Sequence, residues 1–219
     1  MATSGTYTQT WPVDDLMAEA WERCGKNPRV VDGDLAASAR RSLALMLIEW
    51  TNSSAPLWQI PKISTTLTAG ISTLTLPAYV VDVLDAYTTI SGIDLIMARI
   101  GRSDYAAIPN KSVQARPTQI WVDRQRDACV VNVYPTPNQS YTFSYYALRQ
   151  PQDVSGLAQT LDAPLLWSEA MASGLAARLA QKFAPDRLAM LAPMAGSSFQ
   201  NALGESRERV PFTITPMWG

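Results

Sequence analysis

The chain has 219 residues, enough for a hydrophobic core, and its 47% hydrophobic and 17% charged content excludes a disordered tail. The net charge is −1 and no segment is polybasic, which excludes the electrostatic footprint of a sequence-specific DNA-binding protein. Histidine is absent, so a Ser-His-Asp triad is impossible and the commonest general base is missing.

The start of the chain, "MATSGTYTQTW", is polar and uncharged, unlike a signal peptide. No apolar run approaches the ~20 residues that span a bilayer. Cys24 and Cys129 follow no spacing motif, and we interpret them as free buried thiols in a reducing compartment. We therefore expect a soluble protein that is cytosolic when synthesised and has no membrane partner.

Two amphipathic helices are predicted in the first 54 residues. Their apolar residues recur at intervals of three and four: Leu16, Ala20 and Cys24 in the first helix, and Leu35, Ala39, Leu43, Met46, Leu47 and Trp50 in the second. Asp14 and Asp15 lie in the first turn of the first helix, and Gly25 can end it. Asp32 or Asp34 is the predicted N-cap of the second helix.

From Ala55 the pattern changes to that of strands, including "STLTLP", "YVVDVLDAYTTI" and "IDLIMARI". The segment "RIGRSDYAAIP" suggests a short helix followed by a loop. Further along we predict two hairpins in series, with strands at 119–123, 129–134 and 141–148 and turns at 123–127 and 135–138. Tyr141, Phe143 and Tyr145 alternate along the last strand, so we expect them to share one face and pack in a core.

After Gln150 the helical period returns. Asp162 and Pro164 predict a helix start, with the aspartate as cap and the proline in the first turn. That helix carries many small residues, which allow another backbone to approach closely. A final helix begins near Pro185, and Pro193 either kinks it or splits it.

The order of elements predicts an α+β fold rather than a parallel α/β sheet, because strands do not alternate with helices. We expect an antiparallel-type helical bundle formed by both ends of the chain, an inserted antiparallel β-rich domain and an extended C-terminal tail. The predicted boundaries are 1–54 for the N-terminal helices, 55–150 for the β-rich domain, 151–209 for the C-terminal helices and 210–219 for the tail.

Motifs that would indicate an enzyme are missing. The sequence has no glycine-rich phosphate loop, no GxSxG, no HExxH and no paired cysteine spacing. Acid pairs occur at Asp14 and Asp15, at Asp32 and Asp34, and at Asp82 and Asp85, and we interpret them as helix caps and solvated groups rather than metal or acid–base sites. We predict no catalytic residues, no metal and no cofactor.

Two segments are candidates for contact with partners. The charged sequence "DRQRD" is either a solvated turn or a loop that contacts a partner subunit or nucleic acid through Arg124, Gln125 and Arg126. The tail either folds back onto its own domain or inserts into another protein, and the abrupt change from charged to apolar residues after Arg209 favours insertion. The docking residues predicted in the tail are Val210, Pro211, Phe212, Ile214, Pro216, Met217 and Trp218.

Three motifs follow one another in the β-rich region. Arg116-Pro117 precedes a strand, Tyr134-Pro135-Thr136-Pro137 ends the next, and a tyrosine-rich strand closes on Leu148-Arg149. In this order they resemble the head-to-tail adaptor proteins of tailed phages, also called head–tail connectors or tail tubular protein A-like proteins. Residues 161–180, "LDAPLLWSEAMASGLAARLA", are similar to the family's Pro-x-x-Trp helix. The N-terminal helices also resemble those of the family, so the likeness covers most of the chain.

The resemblance implies a structural virion protein without catalysis. In this family a ring, commonly of twelve copies, sits beneath the portal at the capsid–tail junction and lets DNA pass through its lumen during ejection. Its implied partners are the portal protein, which receives the C-terminal tail, nozzle or fibre proteins, neighbouring copies, and DNA contacted non-specifically. Competing interpretations are a nozzle or tail-terminator subunit and, less favoured by these residues, a small hydrolase that uses carboxylates.

Overall fold

The computed structural model describes residues 5–6, 9–53 and 57–207, which form two compact units. The helical unit comprises the described residues of Met1–Trp58 and Pro151–Gly219, and the β unit is Gln59–Gln150. The described α-helices are α1 Val13–Arg23, α2 Gly33–Ser53, α3 Arg102–Ala107, α4 Ser168–Phe183 and α5 Pro185–Glu205. The fold class is α+β, as predicted.

Strands occupy most of the β unit. They are β1 Lys62–Leu67, β2 Thr73–Thr75, β3 Val80–Ile90, β4 Ile93–Arg99, β5 Gln114–Ala115, β6 Gln119–Arg124, β7 Cys129–Tyr134, β8 Thr136–Pro137 and β9 Tyr141–Arg149. The predicted short helical segment near residue 102 is α3.

Helix ends in the helical unit follow the local chemistry of the sequence. The Asp32 carboxylate accepts a hydrogen bond of 2.8 Å from the Leu35 amide, which confirms Asp32 as the cap of α2. Gly25 follows α1 with φ of +75°, a conformation that favours glycine. Pro185 is the first residue of α5, and Pro193 lies inside α5 without splitting it.

The predicted helix start at Asp162 is wrong. A short 3-10 turn occupies Leu165–Trp167, and α4 begins only at Ser168. The Asp162 carboxylate instead accepts a hydrogen bond of 3.0 Å from the backbone amide of Gln152, a residue ten positions earlier. Asp162 therefore ties together the irregular segment that precedes the helix instead of capping the helix.

The core of the helical unit is centred on α4, which packs against α1, α2 and α5. Its buried residues are mostly small, so neighbouring side chains come close to its backbone. At Gly174 an added Cβ would lie only 2.7 Å from Met46 Sδ and 3.1 Å from Trp50 Cζ2, both on α2. The larger core side chains include Trp21, Leu43, Leu175 and Leu179.

The β unit is a barrel-like arrangement dominated by one seven-stranded sheet in the order β1-β9-β3-β4-β6-β7-β2. Its strands pair antiparallel except at β4 and β6, which are parallel neighbours. The short strands β5 and β8 form a separate parallel pair. Ser91 and Gly92 both have positive φ and turn the chain between β3 and β4.

Of the two predicted hairpins, only the first forms. β6 and β7 pair antiparallel across the 125–128 turn, as predicted. The second is wrong because β9 lies between β1 and β3 rather than beside β7. The segment predicted as its turn contains β8: the Thr136 amide donates to the Val113 carbonyl at 2.9 Å, and the Asn138 amide donates to the Ala115 carbonyl at 3.3 Å.

Aromatic side chains on alternate positions of β9 fill the core of the β unit. Phe143 is fully buried, and Tyr141 and Tyr145 are no more than 5% exposed, so the predicted core face is confirmed. The rings of Phe143 and Tyr145 stack with centroids 5.3 Å apart. They pack with buried aliphatic residues from other strands, among them Val83, Ile120, Val131 and Val133.

Candidate interaction surfaces

The predicted contact loop lies at the turn between β6 and β7 and is strongly solvated. The side chains of Arg126 and Asp127 are 96% and 93% exposed. Gln125 is tied locally, since its Nε2 donates to Asp123 Oδ2 at 2.9 Å. The loop therefore presents a solvated cation, Arg126, whose Nε lies 3.7 Å from Asp127 Oδ1.

Arg124 belongs to a small charge cluster centred on Asp82. Arg99 Nη2 lies 2.9 Å from Asp82 Oδ1, and Arg124 Nη1 lies 3.8 Å from Asp82 Oδ2. Arg99 also donates to the Val83 carbonyl. Because Asp82 is engaged by two arginines, it has the role of an ion-pair partner rather than a catalytic acid.

The predicted docking residues Val210, Pro211, Phe212, Ile214, Pro216, Met217 and Trp218 lie outside the described residues. The structure does describe the helix that precedes this segment in the sequence. α5 ends at Glu205, and the next residue, Ser206, accepts a hydrogen bond of 3.0 Å from Trp167 Nε1 through its hydroxyl. Trp167 is buried and contacts Phe199 and Trp50, so the end of α5 is fixed to the aromatic part of the core.

An open groove of about 510 Å³ runs over α4 between α2 and α5. Gly174 and Ala177 on α4 lie in it, Trp50 and Phe199 line it from the two flanking helices, and Arg178 adds a charged group. Arg178 forms an ion pair with Glu49 on α2. The α4 residues Gly174 and Ala177 thus give the groove an apolar base, and the charge of Arg178 is neutralised by Glu49.

Exposed apolar side chains occur on the outer faces of the same two helices. On α2, Leu45 and Ile48 are 60% and 54% exposed. On α5, Met190 and Met194 are 56% and 45% exposed. The sequence analysis missed these surfaces, although one signal was available: α5 carries no charged residue between Arg187 and Glu205.

The ionisable groups of the described residues serve structural roles. Arg23 forms a bidentate pair with Glu169, with nitrogen–oxygen distances of 2.7 and 2.8 Å, and its Nε donates to Glu19. The hydrogen bonds from Arg23 hold the pKa of the Glu169 carboxyl below its usual value. Burial raises the pKa of the Cys24 and Cys129 thiols, which makes both less nucleophilic.

The predicted acid pairs do not assemble into a metal site. Asp32 caps α2, and Asp82 is paired with arginines. Within the part of the chain that the structure describes, no three histidine, cysteine or acidic side chains come together as metal ligands. None of the described helices has both the length and the apolar character needed to cross a bilayer.

Comparison with protein families decides the kind of protein. The family model described as SU10 adaptor protein matches residues 5–215, nearly the whole chain. The chain belongs to the SU10 adaptor protein family. The predicted resemblance to phage head-to-tail adaptors is therefore confirmed, and the protein is a structural phage adaptor. No curated protein matches the chain.

Proposed function

We propose that this adaptor forms a ring beneath the portal, joins the DNA-filled capsid to the tail, and lets DNA pass through its lumen. The match to the SU10 adaptor family over residues 5–215 carries this proposal. The function is structural rather than enzymatic, and the protein resides in the virion at the capsid–tail junction after assembly in the host cytoplasm. Twelve copies is the number implied by the resemblance to head-to-tail adaptors.

In this assembly the helices of 1–54 and 151–209 form an antiparallel bundle under the portal. The resemblance to head-to-tail adaptors implies that the β domain of 55–150 projects outward or toward the tail nozzle. Residues 210–219 are an extended peptide that docks in a groove between portal subunits. This role is supported by its composition, since Phe212 and Trp218 are typical interface anchors. It is also supported by the hydrogen bond between Trp167 and Ser206, which fixes the end of α5 shortly before this peptide in the sequence.

The test is to delete residues 210–219 and measure binding to the portal protein of the same phage. We expect normal circular dichroism and thermal unfolding but no portal binding. The double variant F212A/W218A should behave like the deletion, whereas T213A/T215A in the same segment should bind normally. Full-strength portal binding by the deletion variant would contradict the docking role.

The competing structural interpretation is a nozzle or tail-terminator subunit. Such a protein would bind tail components but would not need the portal. Size-exclusion chromatography of the chain alone and mixed with portal separates the two, because only an adaptor co-elutes with the portal as a ring. A small hydrolase need not assemble in either sample.

Contact with DNA in the lumen is proposed to be non-specific. The net charge of −1 supports a mixed or acidic lining, over which DNA slides without being held. We expect the isolated protein to bind duplex DNA weakly at all salt concentrations. Tight binding that weakens steeply with added salt would argue against a passive lumen.

The loop at the β6–β7 turn is proposed to meet nozzle or fibre proteins. Arg126 is 96% exposed, and its solvated ion pair with the neighbouring Asp127 leaves it accessible to an acidic partner surface. R126E should reduce nozzle or fibre attachment without changing portal binding. If R126E and the unaltered chain bind nozzle or fibre proteins equally well, the loop is a solvated turn without a partner role.

A further inference from the structure

Two stripes on the helical unit have matching chemistry. The α2 stripe consists of Arg41, Leu45 and Ile48, and the α5 stripe consists of Asp186, Met190 and Met194. Each starts with one exposed charge and continues with two exposed apolar side chains at helical spacing. Neither stripe faces α4, because the buried residues of α2 and α5 lie on the other sides of these helices.

The charges at the ends of the stripes have no partner among the described residues. Arg41 and Asp186 are both exposed, and no described residue forms a hydrogen bond or ion pair with either side chain. The neighbouring Arg187 is turned away toward α1, where its Nη1 donates to the Arg23 carbonyl. The α2 stripe thus offers a free cation and the α5 stripe a free anion.

The two stripes also run in the same direction. Lys182 near the end of α4 reaches Ser42, and Gly174 eight residues earlier meets Met46 and Trp50, so α2 is antiparallel to α4. α5 follows α4 after the single residue Ala184 and returns along it, with Phe199 near Trp167. Helices antiparallel to the same neighbour are parallel to each other.

The stripes lie at the same height along these helices. Arg41 is adjacent to Ser42, the partner of Lys182, and Asp186 follows Lys182 by four residues across the turn between α4 and α5. From these two charges the stripes advance equally, by four residues to Leu45 or Met190, which is ~6 Å of helix. A neighbour related by rotation alone, without axial shift, would therefore align the charges and the apolar residues in register.

We propose that the α2 stripe of one copy packs against the α5 stripe of the next, with Arg41 opposite Asp186, Leu45 opposite Met190, and Ile48 opposite Met194. This rests on the proposed ring and identifies the surfaces that close it. Two different, complementary stripes make a heterologous contact, which is the type that generates rings. The absence of charge on α5 from Leu188 to Gly204 agrees with the depletion of charged residues at interface centres.

The first test is cross-linking of the full chain, alone at high concentration and assembled on portal rings. The native thiols are buried, at 4% and 3% exposure for Cys24 and Cys129, so introduced cysteines react selectively. L45C/M190C with a short bismaleimide should give a ladder of dimers, trimers and higher oligomers. L45C alone and M190C alone should give no ladder, since a heterologous contact never brings two copies of one stripe together.

The second test reverses the charges. R41E and D186R should each raise the concentration needed for half-maximal ring assembly by at least about tenfold, because each opposes like charges. The double variant R41E/D186R should restore assembly. R29E, at an exposed arginine outside both stripes, is the matched control and should assemble normally.

The outcomes separate this interface from the proposed function. If the unaltered chain forms rings on the portal but L45C/M190C gives no ladder and R41E assembles normally, the interface is wrong and the ring stands. If dimers form with L45C alone, the contact is isologous and the interface is also wrong. If the unaltered chain neither binds portal nor forms rings, both the proposed function and the proposed interface are wrong.

Discussion

The helical and β units bury their apolar side chains in different ways. In the helical unit burial is concentrated in one helix: α4 buries nine of its 16 residues, whereas α5 buries only Leu191 and Ala202 of its 21. In the β unit burial is spread over β3, β6, β7 and β9, and it alternates along β6 and β7. The difference indicates that the β unit completes its own core, while the helical unit keeps two helices available for further contacts.

The largest expected effect tests the self-contained core of the β unit. F143A removes a fully buried ring and should lower the free energy of unfolding by about 3–5 kcal/mol, measured by urea denaturation. T142A on the exposed side of the same strand should change it by less than about 0.5 kcal/mol.

The two native cysteines make this experiment specific to each unit. Cys129 lies in the β unit and Cys24 in the helical unit, and both are buried. We expect F143A to speed thiol labelling of Cys129, measured in a C24S background. The labelling rate of Cys24, measured in a C129S background, should not change. Acceleration at both sites would show that the units open together and would break the comparison.

A smaller effect, with opposite signs at two glycines, tests the contrast between α4 and α5. G174L forces a side chain into Met46 and Trp50 and should cost about 1–3 kcal/mol of stability. G196A on α5 meets nothing within 4 Å and should add roughly 0.5–1 kcal/mol through better helix propensity. Thermal unfolding measures both, and destabilisation by G196A would show that α5 is packed more closely than its exposure indicates.

The smallest effect concerns the ion pair that joins α1 to α4. Because Arg23 lowers the pKa of Glu169 in the folded state, the pair contributes stability above the ordinary glutamate pKa of about 4.3, and this is lost as the pH falls through the lower folded value. The melting temperature of E169Q should therefore be lower than that of the unaltered chain near pH 7. In acid the two melting temperatures should become equal. The control E22Q changes an exposed acid on α1 and should leave the melting temperature near pH 7 unchanged.

The sequence predicted where helices and strands occur better than it predicted which strands pair with one another. α2 and its Asp32 cap, and the β6–β7 hairpin, depend on residues close together in the chain, and these predictions were right. The hairpin predicted after Tyr134 was wrong because alternation shows which residues share a face but not which strand lies alongside. The partners of β9 are β1 and β3, which precede it by more than 50 residues.

The candidate surfaces were predictable only in part. The unusual composition of residues 210–219 is visible without a structure, and so is the charge at Arg124 and Arg126. The stripes on α2 and α5 were not found, because the sequence alone does not show which faces of these helices α4 covers and which leave Leu45 and Met190 exposed. Asp162 failed as a cap for a related reason, since its partner Gln152 lies ten residues earlier in the same irregular segment.

The bond between Trp167 and Ser206 bears on how the protein would resist pulling. A force that pulls on the chain beyond Arg207 acts on the last turn of α5, close to this bond. We consider a pull along the axis of α5. α5 lies side by side with α4, so an axial pull slides one helix past the other and strains all contacts between them at once. That is shear rather than peeling, and a joint strained in shear withstands more force than one opened contact by contact.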